Sequence, residues 1–224
     1  MKQSFKDYIS EKNLNKLKYN IGNIFIDIKK PFSADLNHKA IITNTLNKIP
    51  KHLINNIKKI TVGEFEFLKS RSLDASYIGG TIFISNNQLS EVDLSGDIIH
   101  EIAHSIEKEY RELIFSDNSL KKEFLQKRIK LYNIMKNSGY KITKQDFLNH
   151  KYSVEFDSYL YKKVKYSNLD QMVSGIYIDS YSATSLSEYF ATGFEKFFMN
   201  QDIQIIKSTC PVLYLKLTNL LQAK

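Results

Sequence analysis

The spacing of apolar residues changes along the chain, and it predicts both helices and strands. In the first part, apolar positions recur at helical spacing over residues 3–19, alternate over residues 23–29, and return to helical spacing over residues 34–48. These patterns predict a helix, a strand and a second helix that Ser33 can cap. Pro50 either stops the second helix or opens a short turn after it.

The middle of the chain has the pattern of a small sheet, and the remainder is mainly helical. Short strands are predicted at residues 60–62, 65–68, 76–78 and 81–85. Gly79 and Gly80 can supply the positive φ angles of a tight turn between the last two strands. Near residue 90 the strands give way to helices, predicted at residues 94–114, 119–136, 144–164, 185–199 and 202–222. The prediction is an α+β fold.

The length of the chain, 224 residues, suits one domain with a sizeable core. We expect a single domain over residues 1–224, in which residues 1–60 form a helical and strand subdomain and residues 61–224 form the main core. With 42% hydrophobic and 25% charged residues, the composition is that of a folded protein rather than a disordered one.

The formal net charge is +8, which raises the question of an acidic partner. However, 29 of the 32 basic residues are Lys, and the three arginines are Arg71, Arg111 and Arg128. Because bidentate recognition of phosphates and bases favours Arg, we expect no nucleic-acid partner. Cys210 is the only cysteine, which excludes an intramolecular disulfide and a thiolate metal cluster. No run of about 18 apolar residues occurs, so no membrane span is expected.

Candidate chemistry concentrates in residues 98–106, which read Ile-Ile-His-Glu-Ile-Ala-His-Ser-Ile. His100 and His104 are four residues apart, so on a helix they lie about 40° apart around the axis and about 6 Å apart along it. Both imidazoles can therefore bind one zinc ion at about 2.1 Å. Glu101 lies on a different bearing, where its carboxylate can reach a water molecule on the metal and act as a general base.

The neighbours of these three polar residues are apolar, and they predict that the helix is buried on both sides of the motif: Ile98, Ile99, Ile102, Ala103 and Ile106. Burying two His and one Glu without a metal or partner would cost several kcal/mol, which favours a zinc site over a chance pattern. The other histidines are expected at the surface or in the core rather than as ligands: His38, His52 and His150.

The third zinc ligand decides the subclass of metallopeptidase. Metzincins carry Gly and then His after the motif, but Glu107 and Tyr110 occupy those positions, which excludes that class. A thermolysin-like site would need a Glu about 20 residues later and an Asp four residues after it. Glu123 is near that spacing, but Lys127 stands where the Asp should be. A more distant acid is therefore expected.

Residues 181–194 read Tyr-Ser-Ala-Thr-Ser-Leu-Ser-Glu-Tyr-Phe-Ala-Thr-Gly-Phe. With the His-Glu-x-x-His stretch, this segment resembles the anthrax lethal factor-like and Pro-Pro endopeptidase-like zinc metallopeptidases, which are gluzincin-type enzymes. The resemblance covers mainly residues 75–222 and implies a zincin-like fold, with a small twisted sheet packed on the motif helix. It also implies that Glu188 completes the zinc site and that Tyr181 reaches the scissile carbonyl.

The roles suggested for Glu188 and Tyr181 each have an alternative. Ser185 and Glu188 fit a capping box, in which the carboxylate would only bond the backbone at a helix start. Tyr177 is a rival to Tyr181 as the hydrogen-bond donor to the oxyanion. Both alternatives stay open on the sequence alone.

The chain departs from the family pattern at two places. The stretch between His104 and Glu188 is longer than usual in the family, which implies an inserted helical hairpin within residues 115–170. Thr192 stands where lethal factor has a Glu beside the zinc ligands, so the group that orients a ligating His is not identified.

The segment Tyr77 to Ser85, just before the motif helix, is where zincins place the edge strand that pairs with an extended substrate. We therefore predict that substrate main chain binds along this segment, and that the contacts come from Gly79, Gly80, Thr81, Ile82 and Phe83. The glycine pair leaves room for a close backbone approach. The alternative is an ordinary strand of the small sheet.

Together these features predict a monomeric zinc endopeptidase that binds one zinc ion per chain and cleaves a peptide or protein substrate in extended conformation. Two alternatives remain: a zincin-fold binding protein without turnover, and a basic protein that binds nucleic acid or an anionic surface. The resemblance favours an extracellular or toxin-like role, whereas the lack of a secretory signal pattern near Met1 leaves a cytoplasmic location open.

Overall fold

The computed structural model of the protein describes residues 17–223, which divide between two compact units, Met1–Ser105 and Ile106–Lys224. The boundary falls at the end of the helix that carries the paired histidines, so both histidines belong to the first unit. Most of the helix predicted at residues 3–19 lies outside the described residues.

The first unit contains a five-stranded sheet with strands β1 to β5 at Lys18–Ile21, Ile24–Ile28, Lys59–Gly63, Ala75–Ile78 and Thr81–Ser85. Their order is β1-β2-β3-β5-β4. The central strand β3 runs parallel to β2 and β5, and the outer pairs β1-β2 and β4-β5 are antiparallel. The sheet is therefore small and mixed, and with the helices it confirms the predicted α+β class.

Alternating isoleucines explain why the central strands form. Ile26, Ile60 and Ile82 are fully buried and lie side by side on three neighbouring strands. Gly79 and Gly80 have φ angles of +56° and +86° and join β4 to β5, as the sequence predicted.

The helices of the first unit are α1 at His38–Lys48, a 3-10 turn at Lys51–Ile54, α2 at Glu66–Lys69 and α3 at Glu91–Ile106. The helix predicted at residues 34–48 begins later than expected because Asn37, not Ser33, caps it. The backbone N–H and the hydroxyl of Ser33 instead donate to the carbonyl of Asn86.

Two further predictions in the first unit are wrong. Residues 65–68 form a helical turn rather than a strand, because the Phe65 carbonyl accepts hydrogen bonds from the N–H groups of Leu68 and Lys69. Residues 18 and 19 belong to β1 rather than to a helix, because Gly22, with φ of +57°, turns the chain into a hairpin.

The second unit is helical and contains α4 to α11 at Arg111–Phe115, Ser119–Asn137, Lys144–Leu148, Val154–Tyr159, Tyr166–Val173, Leu186–Phe198, Ile203–Thr209 and Pro211–Leu221. A π-helical turn spans Leu160–Val164 and a 3-10 turn spans Tyr181–Ala183. The predictions at residues 119–136 and 185–199 are confirmed as α5 and α9. Among residues 17–223, no helix is long and apolar enough to cross a membrane.

The other predicted helices are interrupted, and one helix was missed. The prediction at residues 94–114 fails after Ile106, and the one at residues 202–222 breaks at Cys210, because Pro211 restricts the residue before it. The prediction at residues 144–164 splits into α6, α7 and the π-helical turn. Helix α8 was not predicted, because residues 167–184 are polar enough to suggest a loop.

Helix α11 is fixed in the second unit by a buried carboxylate. Glu123 on α5 accepts hydrogen bonds from the backbone N–H groups of Val212 and Leu213 at 2.9 and 3.2 Å, and from the Tyr189 hydroxyl at 2.8 Å. These N–H groups lie in the first turn of α11, where helix donors lack partners within the helix. The contacts join α5, α9 and α11 in one core.

Candidate metal centre

Helix α3 places the paired histidines among buried apolar residues. The five apolar positions of the motif are fully buried, as the sequence predicted: Ile98, Ile99, Ile102, Ala103 and Ile106. His100 and His104 are half-buried, so their rings lie at the border of this apolar surface. A ligand can therefore reach the imidazoles while their helix stays fixed.

The two imidazoles and the Glu101 carboxylate lie together. The ring centroids of His100 and His104 are 5.0 Å apart, with an angle of 69° between the ring planes. One donor atom from each of these residues and one from Glu101 all lie within 4.8 Å of one another. Two nitrogen ligands of one zinc ion are about 3.3 Å apart, so small side-chain rotations bring the imidazoles to that spacing.

Glu101 is held by the main chain of strand β4. Only 7% of Glu101 is exposed, and its carboxylate accepts a hydrogen bond of 2.6 Å from the backbone N–H of Tyr77. Hydrogen bonds to ionised groups are short and strong, so this contact fixes the direction of the carboxylate. The sequence analysis did not predict it.

Asp97 is a second carboxylate near the motif that the sequence analysis missed. It lies one helical turn before His100 and accepts a hydrogen bond of 2.6 Å from the Gln88 side chain. Burial raises the pKa of Asp97 to about 7, with the Gln88 hydrogen bond acting in the opposite direction. Its position three residues before His100, on the same helix face, was the available signal.

The predicted substrate-binding strand is not at the edge of the sheet. Thr81, Ile82 and Phe83 lie in β5, which pairs with β3 on one side and β4 on the other. Their main chain has no side left for a peptide, so this part of the prediction is wrong. Within residues 17–223, β4 is the terminal strand beyond β5, and Gly79 and Gly80 form only the turn between the two strands. Sheet order depends on pairing between distant segments, which a local pattern does not encode.

In the second unit, Glu188 lies in the first turn of α9. Ser185 caps this helix, because its hydroxyl oxygen accepts a hydrogen bond of 3.1 Å from the Glu188 backbone N–H. Glu188 itself is half-buried. The capping interpretation of Ser185 is therefore confirmed for the serine side chain.

Tyr181 lies in a 3-10 turn that is fixed at both ends. The backbone N–H of Ser182 donates to the Asp179 carboxylate at 2.8 Å, and the Thr184 hydroxyl donates to the Tyr181 carbonyl at 2.7 Å. Burial, and after it the charge of Glu188, raises the pKa of Tyr181 well above its usual value. The phenol therefore keeps its proton at neutral pH and can donate a hydrogen bond.

Arg128 binds a carbonyl of the same 3-10 turn, and the sequence analysis did not predict this contact. Its guanidinium is 1% exposed and donates to the Ala183 carbonyl at 2.6 Å. It also donates to three carbonyls at the end of α6, those of Asp146, Phe147 and Asn149. Burial lowers the pKa of Arg128 to about 10, so the group remains charged at neutral pH.

The competing candidates in the second unit are used in the core. Tyr177 is 2% exposed, its hydroxyl donates to the Phe124 carbonyl at 3.4 Å, and burial raises its pKa. Lys127 donates to the carbonyls of Ile176 and Thr209, and Glu123 binds the start of α11. Thr192 is 1% exposed on α9. These contacts give Tyr177 and Glu123 structural roles.

The chain was also compared with known proteins. No protein-family model matches it, and neither the curated proteins nor the solved structures contain a significant match. The comparisons therefore assign no family, and function has to be argued from the site.

Proposed function

We propose that the protein is a zinc-dependent endopeptidase with a zincin-like fold. The observation that carries the proposal is the group formed by His100, Glu101 and His104, whose donor atoms lie within 4.8 Å of one another on one buried helix. Paired imidazoles are ligands that zinc uses in catalytic sites, and a carboxylate beside them can accept a proton from a metal-bound water.

His100 and His104 would hold the metal, and Glu188 is proposed as the third protein ligand. The support for Glu188 is its sequence context, Glu-Tyr-Phe-Ala, and its spacing of seven residues from Tyr181. A zinc ion bound there would supply a Lewis acid that polarises the substrate carbonyl and lowers the pKa of water.

In the proposed reaction, Glu101 takes a proton from the attacking water as the water oxygen bonds to the carbonyl carbon. It then delivers that proton to the leaving nitrogen as the carbon–nitrogen bond breaks. The Tyr77 N–H at 2.6 Å keeps the carboxylate in one orientation for both transfers. Tyr181, which is protonated at neutral pH, donates a hydrogen bond to the developing oxyanion.

The sheet offers a place for the extended substrate. We propose that the peptide main chain pairs along β4, Ala75–Ile78, rather than along β5, because β4 is the terminal strand beyond β5 in residues 17–223. Main-chain hydrogen bonds to a sheet edge give affinity that is independent of sequence. Because Tyr77 lies in β4 and its N–H binds Glu101, a peptide paired along this strand would lie beside the general base.

The direct test is to load the purified protein with zinc and incubate it with a mixed peptide library, with and without a chelator. Mass spectrometry then reads the cut sites. We expect cleavage at defined positions that the chelator abolishes and added zinc restores. Zinc-loaded protein that cuts no peptide would contradict the proposal and favour a zincin-fold binding protein.

A further inference from the structure

Tyr181 lies beside a group of other tyrosine residues in the second unit. The Tyr166 ring meets the Tyr181 ring edge to face, with centroids 6.4 Å apart and an angle of 88° between the planes. The Tyr161 ring packs on Tyr166 at 5.7 Å. Tyr152 lies close enough to influence the pKa of Tyr181. We refer to Tyr152, Tyr161 and Tyr166 as the tyrosine cluster.

One carboxylate orders two of these rings. Asp157 accepts a hydrogen bond of 2.8 Å from the Tyr152 hydroxyl and one of 2.9 Å from the Tyr166 hydroxyl. Each phenol therefore binds a different carboxylate oxygen of Asp157, and this shared side chain fixes both rings. Rings held in this way lose little conformational entropy when a ligand packs on them.

The backbone between these rings is irregular. Residues Leu160–Val164 form a π-helical turn, closed by a hydrogen bond of 2.9 Å from the Lys165 N–H to the Leu160 carbonyl. Lys165 then has φ of +67° and ψ of 136°, a region that residues other than glycine rarely adopt. Irregularities of both kinds occur preferentially at functional sites.

The cluster also presents ring surface to solvent. Tyr152 is 38% exposed and Tyr161 is 54% exposed, although the Tyr152 hydroxyl is hydrogen-bonded to Asp157 and the Tyr161 ring packs on Tyr166. Exposed, ordered aromatic surface next to a reactive group is typical of a binding site.

We propose that the tyrosine cluster is a substrate subsite that binds an aromatic or bulky apolar side chain close to the scissile bond. This inference rests on the proposed function, because it uses Tyr181 as the group at the scissile carbonyl. An extended peptide advances about 3.3 Å per residue. A residue one or two positions from the scissile bond would therefore lie within reach of Tyr166, which contacts Tyr181, and of the rings next to it.

Charge favours an uncharged side chain over a cationic one. Lys162, Lys163 and Lys165 are exposed and lie within the segment that joins Tyr161 to Tyr166. Asp157 offsets one of these charges, and two of the phenols already bind its carboxylate, so the segment keeps a positive balance that weakens the attraction of the tyrosine faces for a substrate Lys or Arg. Apolar rings pack on tyrosine faces and edges without this penalty.

The test uses peptides that share one cleaved sequence and differ only at the positions flanking the cut, with Phe, Leu, Ala or Lys. Cleavage by the zinc-loaded protein is measured as kcat/KM. In parallel, binding of the same peptides to the Glu101→Ala protein is measured, because binding needs no turnover. The wild-type protein should favour Phe or Leu over Ala and Lys at one position by about 10- to 100-fold.

Substitutions then assign this preference to the rings. Tyr152→Ala and Tyr161→Ala should each reduce the Phe-over-Ala preference at least about threefold and leave the Ala peptide nearly unchanged. Tyr161→Phe keeps the ring and should keep the preference, and Leu215→Ala, at a side chain of similar exposure on α11, is the control. Because the substituted rings are exposed, melting temperatures should change little.

The outcomes separate the two proposals. Cleavage without a preference, or with a preference that the tyrosine variants do not alter, overturns the subsite alone. Selective binding that the variants abolish, together with no cleavage, supports the subsite and overturns the peptidase. If there is neither selective binding nor cleavage, both proposals fail.

Discussion

At the scale of single residues, Glu101 shows how a main-chain contact can hold a carboxylate in one orientation. A buried carboxylate would be costly unless hydrogen-bonded, and the Tyr77 N–H meets that need while fixing its direction. We predict that Glu101→Ala keeps zinc at one ion per chain and lowers kcat by at least about 10²- to 10⁴-fold, the usual contribution of a general base.

Glu112→Gln, at an exposed residue of α4, is the matched control and should retain full activity. Zinc content by elemental analysis and kcat on a cleaved peptide are measured on the same preparations. Unchanged turnover in the Glu101 variant would remove Glu101 from the mechanism.

Asp97 gives a prediction about pH. Its folded pKa of about 7 lies above the ordinary value of 3.8, so between these values the folded state holds the proton more tightly than the unfolded chain. The stability that protonated Asp97 contributes is therefore fully present below about pH 4 and is lost as the pH rises through about 7. Asp97→Asn mimics the protonated form at every pH.

We expect metal-free Asp97→Asn to match the wild type at pH 4 and to exceed it by roughly 1–3 kcal/mol in unfolding free energy at pH 8. Urea unfolding at both pH values measures the difference. A constant difference between the two proteins across this range would show that the Asp97 pKa is not raised.

At the scale of secondary-structure elements, α9 depends on a close approach to α11. A Cβ added at Gly193 would overlap the side chain of Leu213, so this glycine serves packing rather than a turn. We predict that Gly193→Ala lowers the unfolding free energy by roughly 1–3 kcal/mol through overpacking, despite the better helix propensity of Ala.

The same change in a Leu213→Ala background should lose its cost, because the overlapping methyl groups are gone. Chemical denaturation of the two single variants and the double variant gives the coupling energy. If Gly193→Ala is equally destabilising in both backgrounds, steric overlap with Leu213 is not its cause.

Local patterns predicted some elements well and others poorly, for physical reasons. Alternating residues such as Ile82 and Ile84, and the Gly79-Gly80 pair, encode a strand and its turn within a few residues. The helix at residues 119–136 has a sustained period and a start at Ser119. By contrast, the order of β4 and β5 is set by long-range pairing, so the sequence alone could not tell which strand within residues 77–85 forms the sheet edge.

For the whole molecule, the helix motif could be predicted because its chemistry and its burial lie within nine residues. The roles proposed for Glu188 and Tyr181 came only from resemblance, since no local rule links them to a helix some eighty residues earlier. The role of Arg128 could not be predicted because its partners are backbone carbonyls of other segments. Asp97 could have been found from its position one helical turn before His100.

The central claim is that the chain binds one zinc ion through His100 and His104. The most direct measurement is zinc per chain, by elemental analysis of purified protein after metal loading and gel filtration, for the wild type and the His100→Ala/His104→Ala variant. The account predicts one zinc ion per wild-type chain and none in the variant, with both proteins folded by circular dichroism. Folded wild-type protein without zinc, or equal zinc in both proteins, would contradict it.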